Sequence, residues 1–111
     1  MAEAKAVEEK KEVVAKSEHV VPFQKPYSFE GKEYTEVDLN LDSLTGKDFN
    51  DVTRQLKTSG WFAPIPATDP EFCMHIAARG AKLPLEFFES MPAGLYGTTV
   101  QRVSNFLMSA G

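Results

Sequence analysis

Leu83-Pro84-Leu85-Glu86-Phe87-Phe88-Glu89-Ser90-Met91-Pro92 is the stretch whose reading decides the fold, because two prolines bracket a block holding Leu85, Phe87, Phe88 and Met91. Pro84 suits the first turn of a helix, where its missing N–H is no loss, and Pro92 stops a helix at Met91. A second helix is predicted beyond Pro92. Tyr96, Val100, Val103 and Leu107 follow at i, i+4, i+7 and i+11. At about 100° per residue those side chains share roughly 60° of arc. Phe106 flanks the stripe, with Gln101, Arg102 and Asn105 on the other side. Each buried member contributes about 1.5–3 kcal/mol relative to exposure, so this helix reads as a core element on which the upstream chain packs.

Immediately upstream, Thr68-Asp69-Pro70-Glu71 is a helix opening, since Thr68 or Asp69 can cap and Pro70 falls in the first turn. The helix it opens carries Phe72 and Ile76 on one face, with Ala77, Ala78 and Gly80 permitting close approach. Before it, Trp61 to Ala67 reads as a proline-containing loop with Trp61, Phe62 and Ile65. Thr45 followed by Asp48 resembles a capping box with a shorter acid. Phe49, Val52 and Leu56 then repeat at helical spacing, Arg54 and Lys57 suit the last turns, and Gly60 supplies a stop.

Further out the pattern becomes extended. Val20, Val21, Phe23, Tyr27 and Phe29 are good strand formers, while Pro22 and Pro26 restrict any ladder to an edge. Glu30-Gly31-Lys32 reads as a tight turn. Thr35, Val37, Leu39 and Leu41 then point one way and Tyr34, Glu36 and Asp38 the other, so a β-hairpin is predicted at about residues 26–40. A lone hairpin is marginal in water, so its apolar face must pack on the helices or pair with another chain. Residues 1–18 hold nine charged side chains, no aromatic and only Val7, Val13 and Val14 as sizeable apolar groups. Such a segment cannot offset its ordering entropy, and is expected to be a disordered charged tail. The expectation is a single small α+β domain over 19–111, mostly helical, with an N-terminal β-hairpin followed by about four short helices.

Composition excludes several classes of function. A chain of 111 residues with 42% hydrophobic content has room for one domain and a small core. A net charge of −4 without a Lys/Arg cluster argues against nucleic-acid binding. A helix-turn-helix needs a basic recognition helix, and the last predicted helix offers only Arg102. No apolar run approaches a membrane span or the core of a signal peptide, so no membrane partner is expected and the chain reads as soluble and intracellular. The single cysteine, Cys73, can form no internal disulfide.

Catalytic candidates are few. Cys73 and His75 are two apart, roughly 200° around a helix, which defeats a local thiolate–imidazole pair. His19 has no second ligand nearby, and the spacing of a metal site is missing. Glu86 and Glu89 stand at i, i+3 on a solvated face. Ser90, Ser104 and Ser109 lack a nucleophile elbow, and Gly94 and Gly97 do not make a phosphate loop. No enzyme activity, metal or cofactor is expected. The aromatic residues raise the question of a partner instead. Phe87 and Phe88 are adjacent, so one of them is expected at the margin of the buried face. Trp61 and Phe62 sit in a loop, and Met108 falls about 120° from Tyr96 on the wheel. Trp61, Phe62, Phe87, Phe88 and Met108 are the candidate partner-binding residues.

Two sets of residues carry a resemblance to a known family. Pro26-Tyr27-Ser28-Phe29-Glu30-Gly31-Lys32-Glu33-Tyr34-Thr35-Glu36-Val37-Asp38-Leu39, then Leu44-Thr45-Gly46-Lys47-Asp48, resemble the front half of a phage tail assembly chaperone. Ile76-Ala77-Ala78-Arg79-Gly80-Ala81-Lys82-Leu83-Pro84-Leu85-Glu86-Phe87-Phe88 and Val103-Ser104-Asn105-Phe106-Leu107 resemble its C-terminal half in the same order. The resemblance spans about residues 25–108, outside the tail before His19 and the Trp61–Ala67 loop. It implies a non-enzymatic protein of the host bacterial cytoplasm, absent from the mature virion. Such a protein binds the tape measure protein and helps recruit tail tube protein around it, with self-association a further option. It also implies that a longer frameshifted product can exist, and it carries over no catalytic residue. The alternative reading is a structural minor tail or connector protein of the virion.

Overall fold

The computed structural model describes residues 19–109, and the expected charged tail at 1–18 lies outside the described residues. The fold is α+β and mostly helical, an antiparallel hairpin followed by four helices. Strands β1 (Val20–Phe29) and β2 (Lys32–Asp38) come first, then a 3₁₀ turn at Leu41–Ser43 and helix α1 (Gly46–Lys57). A second 3₁₀ turn at Pro66–Thr68 leads into α2 (Pro70–Ala81), α3 (Leu85–Glu89) and α4 (Ala93–Met108).

The hairpin turns at Glu30 and Gly31, whose φ values of 51° and 77° are those of a tight two-residue connection. It is longer than the sequence suggests, pairing from Val20↔Asp38 to Phe29↔Lys32. Its ladder is interrupted. Between the pairs Pro22↔Glu36 and Tyr27↔Tyr34, β1 spends four residues where β2 spends only Thr35. This bulge takes up the stretch from Phe23 to Pro26, where a regular ladder would lack a donor. It also resets which side chains face inward. At the open end Val21 and Val37 are buried, whereas at the tip Tyr27, Phe29 and Tyr34 turn inward. The strict alternation expected for β2 therefore fails at two positions: Thr35 is exposed and Tyr34 is half-buried. Leu39 closes the open end by donating its N–H to the His19 carbonyl at 2.7 Å.

Helix α1 begins with the predicted capping box. The Thr45 hydroxyl accepts the Lys47 N–H at 3.2 Å, and Asp48 Oδ2 accepts the Thr45 N–H at 2.9 Å. Gly60, at φ 87°, ends the helix: its N–H donates to the Lys57 carbonyl and the Trp61 N–H to the Leu56 carbonyl. Val52 and Leu56 are buried and Phe49 half-buried. On the outer face Arg79 of α2 reaches Asp48 at 3.0 Å and Asp51 at 3.3 Å, while Lys47 and Arg54 also hold Asp51.

Helix α2 is the most enclosed element. Phe72, Cys73, Met74, Ile76, Ala77 and Gly80 are all buried, and it packs against α1, α3 and α4. Gly80 lies so close to the Leu39 backbone that a Cβ there would land on the Leu39 carbonyl oxygen. The helix ends at Lys82, which takes the left-handed conformation at φ 59°.

Phe87 and Phe88 depart from the expectation that one of them faces outward: both are fully buried. Helix α3 has only five residues and is enclosed between the hairpin tip and α2. Three rings meet Phe87 edge-on, from Tyr27 at 5.2 Å, Phe29 at 5.3 Å and Tyr34 at 4.9 Å. Phe88 packs against Phe87 at 5.1 Å from the inner side. The Tyr27 hydroxyl donates to the Phe87 carbonyl at 2.7 Å.

Helix α4 forms where the periodicity places it, but its buried face is rotated towards Thr99, which is buried beside Val103. Thr99 satisfies its hydroxyl by donating to the Leu95 carbonyl at 2.8 Å. Tyr96, Val100, Phe106 and Leu107 are half-buried against the core. Arg102 does not project to solvent as expected: Nη1 donates to the Val20 carbonyl at 2.8 Å and ties α4 to β1. Among the described residues no helix is long and apolar enough to cross a membrane.

Candidate partner-binding surface

The surface is built on Trp61. Its ring stacks on Phe72 with centroids 6.1 Å apart, and its Nε1–H donates to Asp69 Oδ2 at 2.9 Å. The same oxygen accepts the Phe72 N–H at 3.0 Å, so Asp69 caps α2 and fastens the loop with one atom. Trp61 is thus a half-buried anchor rather than a free contact residue. The far end of the loop is fastened too. The Ile65 carbonyl accepts both the N–H and the hydroxyl of Thr68, and the Pro66 carbonyl accepts the Asp69 N–H.

Between these fixed ends, with Pro64 and Pro66 restricting the backbone, the loop holds two apolar side chains in solvent. Phe62 is 80% exposed and Ile65 56%. Neighbouring large apolar groups exposed on one fastened loop are the kind of surface that contacts a partner. Phe62 was legible as a candidate. Ile65 was seen only as a loop residue, although its place between two prolines, which hold it away from regular structure, was the available signal.

The remaining candidates separate. Phe87 and Phe88 belong to the core and are removed from the partner-facing set. Met108 is 57% exposed at the last residue of α4. It lies about three helical turns, roughly 18 Å, beyond the Tyr96 level at which α4 meets the loop region. The structure therefore brings Trp61, Phe62 and Ile65 together and leaves Met108 apart.

Beside the loop, the start of α2 and the outer side of α4 enclose an open groove lined by Thr68, Pro70, Tyr96, Gly97, Val100 and Gln101. Burial pushes the Tyr96 hydroxyl pKa up, and the carboxylates of Glu89, Glu71 and Asp69 push it further. Glu71 and Glu89 are exposed and make no ion pair among the described residues.

The groups considered for chemistry are engaged structurally. Burial, with the Asp69 charge adding to it, pushes the Cys73 thiol up to about 12, and its Sγ–H donates to the Ala67 carbonyl at 3.4 Å. His75 is occupied elsewhere, its Nδ1 lying 3.0 Å from the Glu71 carbonyl oxygen. His19 places Nε2 3.2 Å from Asp42 and its ring edge-on to Phe106 at 5.4 Å. Among the described residues no group of three His, Cys, Asp or Glu side chains is placed to hold a metal ion. Comparison of the chain with protein-family models, curated proteins and solved structures finds no match.

Proposed function

We propose that the protein is a tail assembly chaperone of a tailed bacteriophage, working in the host cytoplasm to hold the tape measure protein and promote recruitment of tail tube subunits. The observation that carries this reading is the fastened loop that presents Phe62 and Ile65 to solvent, on a chain whose segments over 25–108 resemble that family in order. A long helical client exposes apolar stripes that self-associate if left bare. A small acidic domain covers such a stripe with preorganised apolar side chains, and its net charge of −4 keeps the complex dispersed.

The reading is tested by following the chain through infection. Immunodetection should find it in lysates of infected cells and in complex with the tape measure protein, but not in purified particles. Stoichiometric recovery from purified particles overturns the chaperone reading in favour of a structural tail or connector component.

A further inference from the structure

We propose that the charged segment at residues 1–18 covers the outer face of α4, along the open groove that runs from Ser109 to Gly94. The proposal is independent of the chaperone reading, since it concerns a surface that the chain closes for itself.

That face differs from the outer side of α1, where Lys47, Arg54 and Lys57 stand in solvent. Helix α4 turns Gly94, Gly97, Thr98, Gln101 and Asn105 outward at i, i+3, i+4, i+7 and i+11, all exposed and none charged. A helix side that stays in water usually mixes charged with polar side chains. Arg102 also lines the groove, half-buried, with Nη1 on the Val20 carbonyl.

The occupant follows from where the chain enters the fold. The His19 ring packs edge-on against Phe106, a lining residue, at 5.4 Å. The carbonyl of the next residue is the one that Arg102 holds, at 2.8 Å. Residues 1–18 are therefore delivered onto this end of α4 by covalent attachment. His19 also leaves a bond unmade there. Its Nε2 reaches Asp42, but Nδ1 is buried and has no hydrogen-bond partner among the described residues. Buried polar atoms are nearly always bonded, so a polar group from the segment just before His19 is what this atom lacks.

Length and charge agree. From Gly94 to Ser109 α4 rises about 22 Å, and a helix of eighteen residues would span about 27 Å, enough for the whole groove. The segment holds five glutamates and four lysines, and the groove offers it Arg102 and no carboxylate. Ala4, Val7, Lys11 and Val14 recur at helical spacing and present mostly small apolar groups. Nothing lies within 4 Å of the Cβ positions of Gly94 and Gly97, so a backbone can come close there. A segment of this composition cannot offset its ordering entropy alone. Attachment at His19 raises its effective concentration at α4 to about the millimolar range, where weak contacts suffice.

The test uses the full chain carrying Ala6→Cys with a nitroxide label, Cys73 being buried and protonated at neutral pH. Paramagnetic broadening of amide signals should be several-fold stronger at Gly97, Thr98 and Gln101 than at Glu33 in β2. Gly97→Arg should abolish that contrast and shift the His19 ring nitrogen signals. The position is exposed, so the thermal melt should be unchanged or raised. Broadening no stronger on α4 than on β2 overturns the proposal, as does a pattern that Gly97→Arg leaves unchanged. So does broadening that persists when labelled chain is mixed with separately isotope-enriched, unlabelled chain, because a second copy then supplies the segment.

Discussion

Gly80 faces the backbone of Leu39 without a side chain between them, and that contact is what lets α2 settle on the open end of the hairpin. Gly80→Ala should cost about 2 kcal/mol or more, because backbone rather than a flexible side chain has to move; urea unfolding measures it. Lys82 shows the opposite situation. It holds a left-handed conformation at φ 59° that strains any residue with a Cβ, so Lys82→Gly should stabilise the fold by about 1 kcal/mol. The small side chain at 80 was legible as a place of close approach, but the group approached was not, since Leu39 is remote in sequence. Cys73 is a fully buried thiol on α2. With its pKa pushed up to about 12 by burial and then by Asp69, it should resist a disulfide reagent at neutral pH and react only on unfolding.

Elements were legible where one local signal decides them. The capping box at Thr45 and Asp48, the Asp69 cap of α2 and the glycine stop at Gly60 all stand as the residue types imply. The hairpin was legible in existence but not in phase. Alternation in β2 presupposes an unbroken register, and the bulge opposite Thr35 is set by β1 and its prolines. The burial of both Phe87 and Phe88 was hidden for a related reason: the hairpin tip covers one side of this five-residue helix and α2 packs on another, so only Glu86 and Glu89 are left exposed. The α1 cap also gives a pH dependence. The Thr45 N–H first, and then Arg79, hold the Asp48 carboxyl below its ordinary value of 3.8. A carboxylate depressed in the folded state contributes fully above its unfolded pKa, and that contribution is lost as pH falls through the lower folded value. Acid unfolding should therefore steepen below about pH 4, and Asp48→Asn should flatten that slope while lowering stability near neutral pH.

At the scale of the whole molecule, one core joins the hairpin to all four helices, and the apolar side chains left outside it are few. Phe62, Ile65 and Met108 are the large ones exposed among the described residues, and Phe62 and Ile65 share one loop. Of the candidate surface, the aromatic pair at 61–62 was legible from its loop context. The groove at Tyr96 and Gly97 was not, because a groove exists only once α2 and α4 are packed. The most direct measurement of the account's central claim is co-expression with the tape measure protein. It would compare wild-type chain with a Phe62→Ser/Ile65→Ser variant, whose exposed positions leave the fold intact. The account predicts a soluble, co-purifying tape measure protein with the wild type, and an aggregated one with the variant or with no chaperone. A tape measure protein equally soluble in all three, with nothing co-purifying, would contradict it.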